Sequence, residues 1–253
     1  DKRKVRKTIQ AFKATLRNGV DYRESYATTP QWNSIRMIFA VACYFDLDLT
    51  LKDIVAYFLA AYLEAGEDIF MEQEPRTDDG TGRLCKLIKS MYGLPQAAYH
   101  AQRKLMAALA KDGLHQTVSD RAVVVKKSSN VKAQHAEVIC SIHVDDTLST
   151  GTTGGLAAVS ESLKKAFKIT SDPDPKLVIG VQIERCRPHR WLKIHQYGYV
   201  VRLLTAEGML DSKKSSTPIN KGLTKQTSYN DGKPDTREDL HARKRFQEIF
   251  GQL

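Results

Sequence analysis

The stretch Glu137–Gly151, EVICSIHVDDTLSTG, decides how the rest of the chain is read. Val138, Cys140, Ile142 and Val144 alternate with Ile139, Ser141, His143 and Asp145, which is the period of a β-strand. Two adjacent carboxylates, Asp145 and Asp146, close the run. Set ~5 Å apart at an effective dielectric near 20, they repel by roughly 3 kcal/mol. An isolated Asp-Asp at a hairpin tip is most often a solvated turn, because Asp is a preferred turn residue. A more demanding reading needs a partner elsewhere in the chain.

About ninety residues upstream, LDLTLKDI (residues 47–54) alternates in the same way. Leu47, Leu49 and Leu51 share one face, with Asp48, Thr50 and Lys52 opposite, which predicts a half-buried strand. Strict alternation puts Asp53 on the leucine face, where an unpaired carboxylate is costly. Either the strand stops there or something positive meets Asp53.

The remaining chain supplies elements around these two strands. Trp32, Ile35, Ile38, Phe39 and Ala42 stand near helical spacing and predict an amphipathic helix over 31–44. Ala97, Ala101, Leu105, Ala108 and Leu109 predict another over 96–111, with Gly113 as its stop. DIFMEQEP (68–75) reads as a short strand, RAVVVKK (121–127) as a strand and LAAVSESLKKAF (156–167) as a helix. KLVIGVQIERCRPHRWLKIH (176–195) reads as a β-hairpin, QYGYVVRLLTAEGM (196–209) as a helix and 211–240 as a polar loop. Strands and helices mix without a regular βαβ alternation, so the fold class expected is α+β.

Composition narrows the function classes. The chain has 253 residues and a formal charge of +10, which favours polyanionic partners. Lys2, Arg3, Lys4, Arg6, Lys7, Lys13 and Arg17 concentrate that charge at the start, where a solvated end is an equally good reading. No run of eighteen apolar residues exists to cross a membrane, and the basic start lacks the pattern of a signal peptide. Cys43, Cys85, Cys140 and Cys186 form no CxxC pair, which argues against zinc and for a reduced compartment. A start without Met and an abrupt end suggest a piece of a longer protein.

A strand–Asp-Asp–strand hairpin beside another strand ending in Asp is a recurring way to hold two divalent cations. Two Mg²⁺ ions can activate an attacking 3′-hydroxyl and stabilise a leaving pyrophosphate. Hard oxygen ligands suit Mg²⁺, and carboxylates that repel one another become favourable neighbours once cations arrive.

Ordered agreement along the chain then points to a family. KVRKTIQAF with GVDYRESYATTPQWNSIRMIFAVACYFDLDL, DIVAYFLAAYLEAGEDIFMEQEP, LCKLIKSMYGLPQAAYH and IHVDDTL follow one another, and VIGVQIER, QYGYVVRLL and STPI come after them. In that order and spacing, the sequence resembles the reverse transcriptase of copia-type LTR retrotransposons over nearly all of its length. The resemblance implies a right-hand polymerase. Residues 1–45 and 68–93 would form the fingers, 46–67 and 94–195 the palm, and 196–253 a partial thumb. An RNase H domain would follow in the full polyprotein.

Carried over residue by residue, the resemblance makes Asp53, Asp145 and Asp146 the catalytic metal-binding carboxylates. Asp53 and Asp145 would be the main ligands of two Mg²⁺ ions, with Mn²⁺ as a substitute, and Asp146 would support them. Ile54 would add a backbone group to the metal, and Ile54 and Val55 would offer backbone groups to the triphosphate. Phe58, five residues after Asp53, falls where the family carries an aromatic gate against the ribose 2′-hydroxyl; a core aromatic is the competing reading. Gln96 would hydrogen-bond the sugar or phosphate of the incoming nucleotide, and Lys4 and Arg6 would grip its triphosphate. His143 stands where the family usually has Tyr, a contact to primer or template. Pro95 replaces a common Lys, and Ala98 and Ala101 a common Pro and Trp.

The partners implied are an RNA or DNA template with its primer, and dNTPs, with no membrane. The location implied is a cytoplasmic virus-like particle or the nucleus. Two other readings use the same residues: an inactive relic that binds nucleic acid through its basic surface, and a metal-dependent phosphodiesterase or nuclease.

Overall fold

The strand expected at 47–54 forms as β1 (Asp48–Ile54), an interior strand one place in from the edge of a sheet. The computed structural model describes residues 19, 22–73, 79–130, 134–213, 240 and 243–248. Two compact units, residues 1–200 and 201–253, divide the chain.

Chain order in the first unit begins with α1 (Trp32–Tyr44) and β1, followed by a 3-10 turn at Tyr57–Ala60. The small pair β2 (Phe70–Met71) and β3 (Cys85–Lys86) leads to α2 (Ala97–Ala110). Then come β4 (His115–Gln116), β5 (Val123–Lys126), β6 (Val138–His143) and β7 (Asp146–Gly151). After α3 (Thr153–Ala166) come β8 (Ile169–Asp172), β9 (Leu177–Val178), β10 (Val181–Cys186) and β11 (Trp191–His195). α4 (Tyr197–Ala206) follows.

The main sheet has six strands in the order β4-β5-β6-β7-β1-β8, and every neighbouring pair is antiparallel. β9, β10 and β11 make a second, three-stranded antiparallel sheet. This is the mixed α+β arrangement expected, built on antiparallel sheets.

Both faces of the main sheet are covered, which corrects the half-buried reading of β1. On the leucine face, Leu49 and Leu148 pack with Ile35, Ile38 and Phe39 of α1 and with Val178 and Ile183 of the three-stranded sheet. On the other face, Ile54, Cys140 and Ile142 pack with Leu105 and Leu109 of α2 and Val159 and Leu163 of α3. Lys52, expected on a solvated face, is therefore 1% exposed and donates to Thr50 Oγ1 at 2.7 Å. Alternation of polar and apolar residues could not reveal a covering layer contributed by helices fifty to a hundred residues downstream.

Local chemistry fixes where the elements begin. Asp120 accepts from the Gln31 N–H (2.8 Å) and the Ser34 hydroxyl (2.6 Å), so a loop beside β5 caps the first turn of α1. Burial works against that carboxylate, but the bonds from Ser34, Gln31 and Ala122 outweigh it and hold Asp120 below its ordinary pKa. α3 starts three residues before the expected 156, because Thr152 accepts from the Gly155 N–H at 3.1 Å and supplies the cap. Gly151 and Gly155 are needed there: a Cβ on either would stand 2.3 or 2.6 Å from the Glu137 carbonyl. Among the described residues of the segment 68–75, Phe70–Met71 form a two-residue strand, and 176–195 forms three strands rather than a simple hairpin. Most of the polar stretch 211–240, together with Lys4 and Arg6, lies outside the described residues.

The four cysteines are free thiols. Among the described residues no helix is long and apolar enough to cross a membrane.

Candidate active site

β6 and β7 are joined by a two-residue turn, Val144–Asp145, so that His143 faces Asp146 across the hairpin. Val144 has φ 56°, a left-handed conformation that a β-branched side chain seldom adopts, and the tight turn carries that strain. The expected alternation ran through Val144 and gave His143 and Asp145 one face. The turn breaks it, and His143 shares its face with Asp146 instead.

β1 lies on the far side of β7, with Asp53 directly opposite Asp146. His143, Asp146 and Asp53 thus stand side by side on three adjacent strands, each roughly 4.8 Å from the next, on one face of the sheet. Asp145 is exposed on the adjoining turn. Its carbonyl accepts from the Ile54 N–H at 3.0 Å, which ties the turn to the end of β1. The leucine-face cover described above packs on Leu49 and Leu51; Asp53 remains exposed at the end of the strand.

The electrostatics are unbalanced. Burial, then the negative charges of Asp145 and Asp53, push the half-buried Asp146 carboxyl above its ordinary pKa, against a smaller opposite effect of His143. Among the described residues no lysine or arginine forms an ion pair with any of the three. Nor do three metal-ligating side chains converge on one point, so there is no preformed cage. The donor set nonetheless fits Mg²⁺, which is typically held by one or two carboxylates and completes its shell with waters and substrate phosphates.

Around the carboxylates, the 3-10 turn places two aromatics. Phe58 is half-buried between two core clusters, edge-on to Tyr92 with ring centroids 5.3 Å apart. Tyr57, which the sequence reading passed over, is buried with its hydroxyl unpartnered. Burial and the charge of Asp145 both push its ionisation upward. Lys104 of α2 was also missed: it donates to the Ala60 carbonyl at 2.8 Å and lies 4.9 Å over the Phe167 ring, holding the turn against α2. A lysine in a helix otherwise read by its alanines and leucines gave no signal of that reach.

Gln96 is fully buried at the start of α2, and neither amide atom has a partner. Such a group calls for a ligand or a water to complete it. The Ile54 and Val55 N–H groups are already bonded, to the carbonyls of Asp145 and Lys168. The backbone groups this segment has left to offer a metal or phosphate are its carbonyl oxygens.

Comparison with known proteins extends this geometry. The profile of the family described as reverse transcriptase (RNA-dependent DNA polymerase) matches residues 1–221. The chain belongs to the reverse transcriptase family. It is 31% identical over 220 residues to the retrovirus-related Pol polyprotein from transposon TNT 1-94 of Nicotiana tabacum, covering 85% of this chain and 16% of that protein. It is 27% identical to the Pol polyproteins from transposons RE2 and RE1 of Arabidopsis thaliana, each covering 84% of this chain and 15% or 14% of theirs. The resemblance to copia-type elements is borne out. This reverse transcriptase chain spans about one-sixth of the length of these relatives.

Proposed function

We propose that this reverse transcriptase chain carries the polymerase chemistry of a retrotransposon polyprotein, templated DNA synthesis from dNTPs onto a primer 3′-hydroxyl. The observation that carries the reading is the register that sets Asp53 opposite Asp146, with Asp145 on the adjoining turn. Two Mg²⁺ ions, when bound, would supply Lewis-acid activation of the hydroxyl and charge neutralisation of the pyrophosphate. Asp53 and Asp145 are the exposed oxygen donors for them, and Asp146 completes the local negative field. The bond from Ile54 N–H to the Asp145 carbonyl holds that turn in position against the strain at Val144.

Phe58 would crowd a ribose 2′-hydroxyl from the 3-10 turn, and the Gln96 amide would complete its hydrogen bonds on the nucleotide once its cover shifts. Lys4 and Arg6 would grip the triphosphate. His143, in line with Asp146, would meet the primer or template backbone with an imidazole that can donate or accept. The first unit then reads as fingers and palm, the start of the thumb follows, and an RNase H domain acts downstream in the polyprotein, inside a virus-like particle.

The test is extension of a primed RNA template by dNTPs with Mg²⁺, beside an Asp145→Asn variant. Wild-type extension well above the variant is expected. Extension no better than the variant, with retained salt-sensitive RNA binding, would leave the chain a nucleic-acid-binding relic. Cleavage of the template in place of extension would make it a nuclease.

A further inference from the structure

The α1–β11 seam, whose hollows are lined by none of the three carboxylates, has a composition the polymerase site does not use. A groove of about 540 Å³ runs between Arg36 and Tyr44 on α1 and Arg190, Leu192 and Ile194 at β11. A second hollow of about 390 Å³ continues past Ile194 to Trp32. Trp32 and Tyr44 are exposed at 41% and 73%, and twelve residues of helix set them roughly 18 Å apart. Arg36 stands on the helix between them, and among the described residues neither Arg36 nor Arg190 forms an ion pair. The neighbouring acids are already committed: Asp46 and Asp48 are paired with Arg187, and Asp46 with Arg185 as well.

We infer that this groove is a single-stranded nucleic-acid site, taking phosphates on Arg36 and Arg190 and bases on Tyr44 and Trp32. Guanidinium groups that form no ion pair, although the charge of Arg190 also acts on Asp46, alternate here with exposed aromatics over an apolar floor; that pattern binds unpaired strands, because every base has a π-face. An acidic peptide would satisfy the arginines but give no reason for solvent-facing aromatics at both ends. α1 and the three-stranded sheet cover the leucine face of the main sheet, the face on which Asp53 lies. From Asp48 to Asp53, β1 spans roughly 17 Å. The strand held here is therefore unpaired template at some distance from the reacting end, an assignment that rests on the polymerase reading.

A labelled 15-nucleotide single-stranded RNA, titrated by fluorescence anisotropy at several salt concentrations, tests it. Arg36→Ala with Arg190→Ala should lower the slope of log affinity against log salt by about 1.4, the share of two phosphates on a single strand. Tyr44→Ala should weaken binding about tenfold at low salt. In a Trp191→Phe background the RNA should quench Trp32 fluorescence, whereas polyglutamate should not. An unchanged slope in the double variant, equal quenching by polyglutamate, or equal binding of a blunt duplex with no quenching would each overturn the site. Single-nucleotide extension on a primer–template with a one-nucleotide overhang should be unaffected by the arginine changes. Failure of the wild type in that extension assay overturns the polymerase reading alone, since the salt slope judges the groove independently.

Discussion

The two ends of β1 carry the same residue type and solve its charge in opposite ways. At its start, Asp46 and Asp48 meet arginines from β10 and the turn after it. Arg187 donates to Asp46 Oδ1 at 2.8 Å and pairs with Asp48 at 2.8 Å, and Arg185 reaches Asp46 at 3.2 Å. The hydrogen bond from Arg187 holds Asp46 below its ordinary pKa. At its end, Asp53 faces Asp146 with Asp145 beside them and, among the described residues, no arginine paired to them, and Asp146 is pushed above its ordinary value by burial and by those two charges. One end is a finished electrostatic clamp that docks the three-stranded sheet on the main sheet. The other is left uncompensated, the condition that the proposed binding of divalent cations there would relieve.

The largest expected effect is at the uncompensated end. Asp53→Asn should lower primer extension by about 10³-fold or more while leaving the fold intact, as single-turnover incorporation and circular dichroism would record. The matching change at the compensated end should do the reverse. Arg185 also donates to the carbonyls of Leu47 (2.8 Å) and Ala42 (2.9 Å), so Arg185→Ala strands the Leu47 carbonyl and leaves the Ala42 carbonyl with the Leu47 N–H alone. It should cost about 2–3 kcal/mol in urea unfolding and leave extension by the folded fraction near wild type. A large loss of extension with full stability in Arg185→Ala would erase the contrast.

A smaller effect concerns the aromatic beside Asp53. Phe58→Val should relax the preference for dNTP over rNTP by about tenfold, read as the ratio of incorporation efficiencies. An unchanged ratio would return Phe58 to the core it half occupies.

The smallest effect is in acid, where two carboxylates should act with opposite signs. Asp120 is held below its unfolded pKa, so its bonds stabilise the fold above the ordinary carboxylate range, and that stability is lost as pH falls through the folded value. Asp146 is held above its unfolded pKa, so its protonated form adds stability at low pH, and that contribution is lost as pH rises through the folded value. Against wild type, Asp120→Asn should therefore lose most stability at neutral pH, by about 1–2 kcal/mol. Asp146→Asn should gain a smaller amount there, up to about 1 kcal/mol after solvent screening. Both appear in melting curves taken between pH 3 and pH 7.

The sequence carried the skeleton of this contrast. Alternation located β1 and β6, helical spacing located α1 and α2 to within one residue, and the awkwardness of Asp53 on a leucine face signalled its special position. What stayed hidden depended on residues far apart in the chain. Lys52 is buried because α2 and α3 arrive over it, and its neighbours in sequence carry no trace of that cover. His143 pairs with Asp146 because the turn begins one residue earlier than alternation implied. Arg185 looked like any residue of a basic hairpin, yet it binds carbonyls nearly 140 residues away. Tyr57 gave a usable signal: a tyrosine inside an apolar run must bury its hydroxyl or expose it, and here it is buried within reach of the charge on Asp145.

We propose that bound cations balance the like charge at the end of β1. The decisive measurement is the melting of wild type and Asp146→Asn, each with and without Mg²⁺ in the presence of primed template and dNTP. Asp146→Asn should melt slightly higher than wild type without metal. Mg²⁺ should stabilise wild type by about 1–2 kcal/mol and the variant by much less. A variant that melts lower without metal and keeps the full Mg²⁺ response would overturn the proposal.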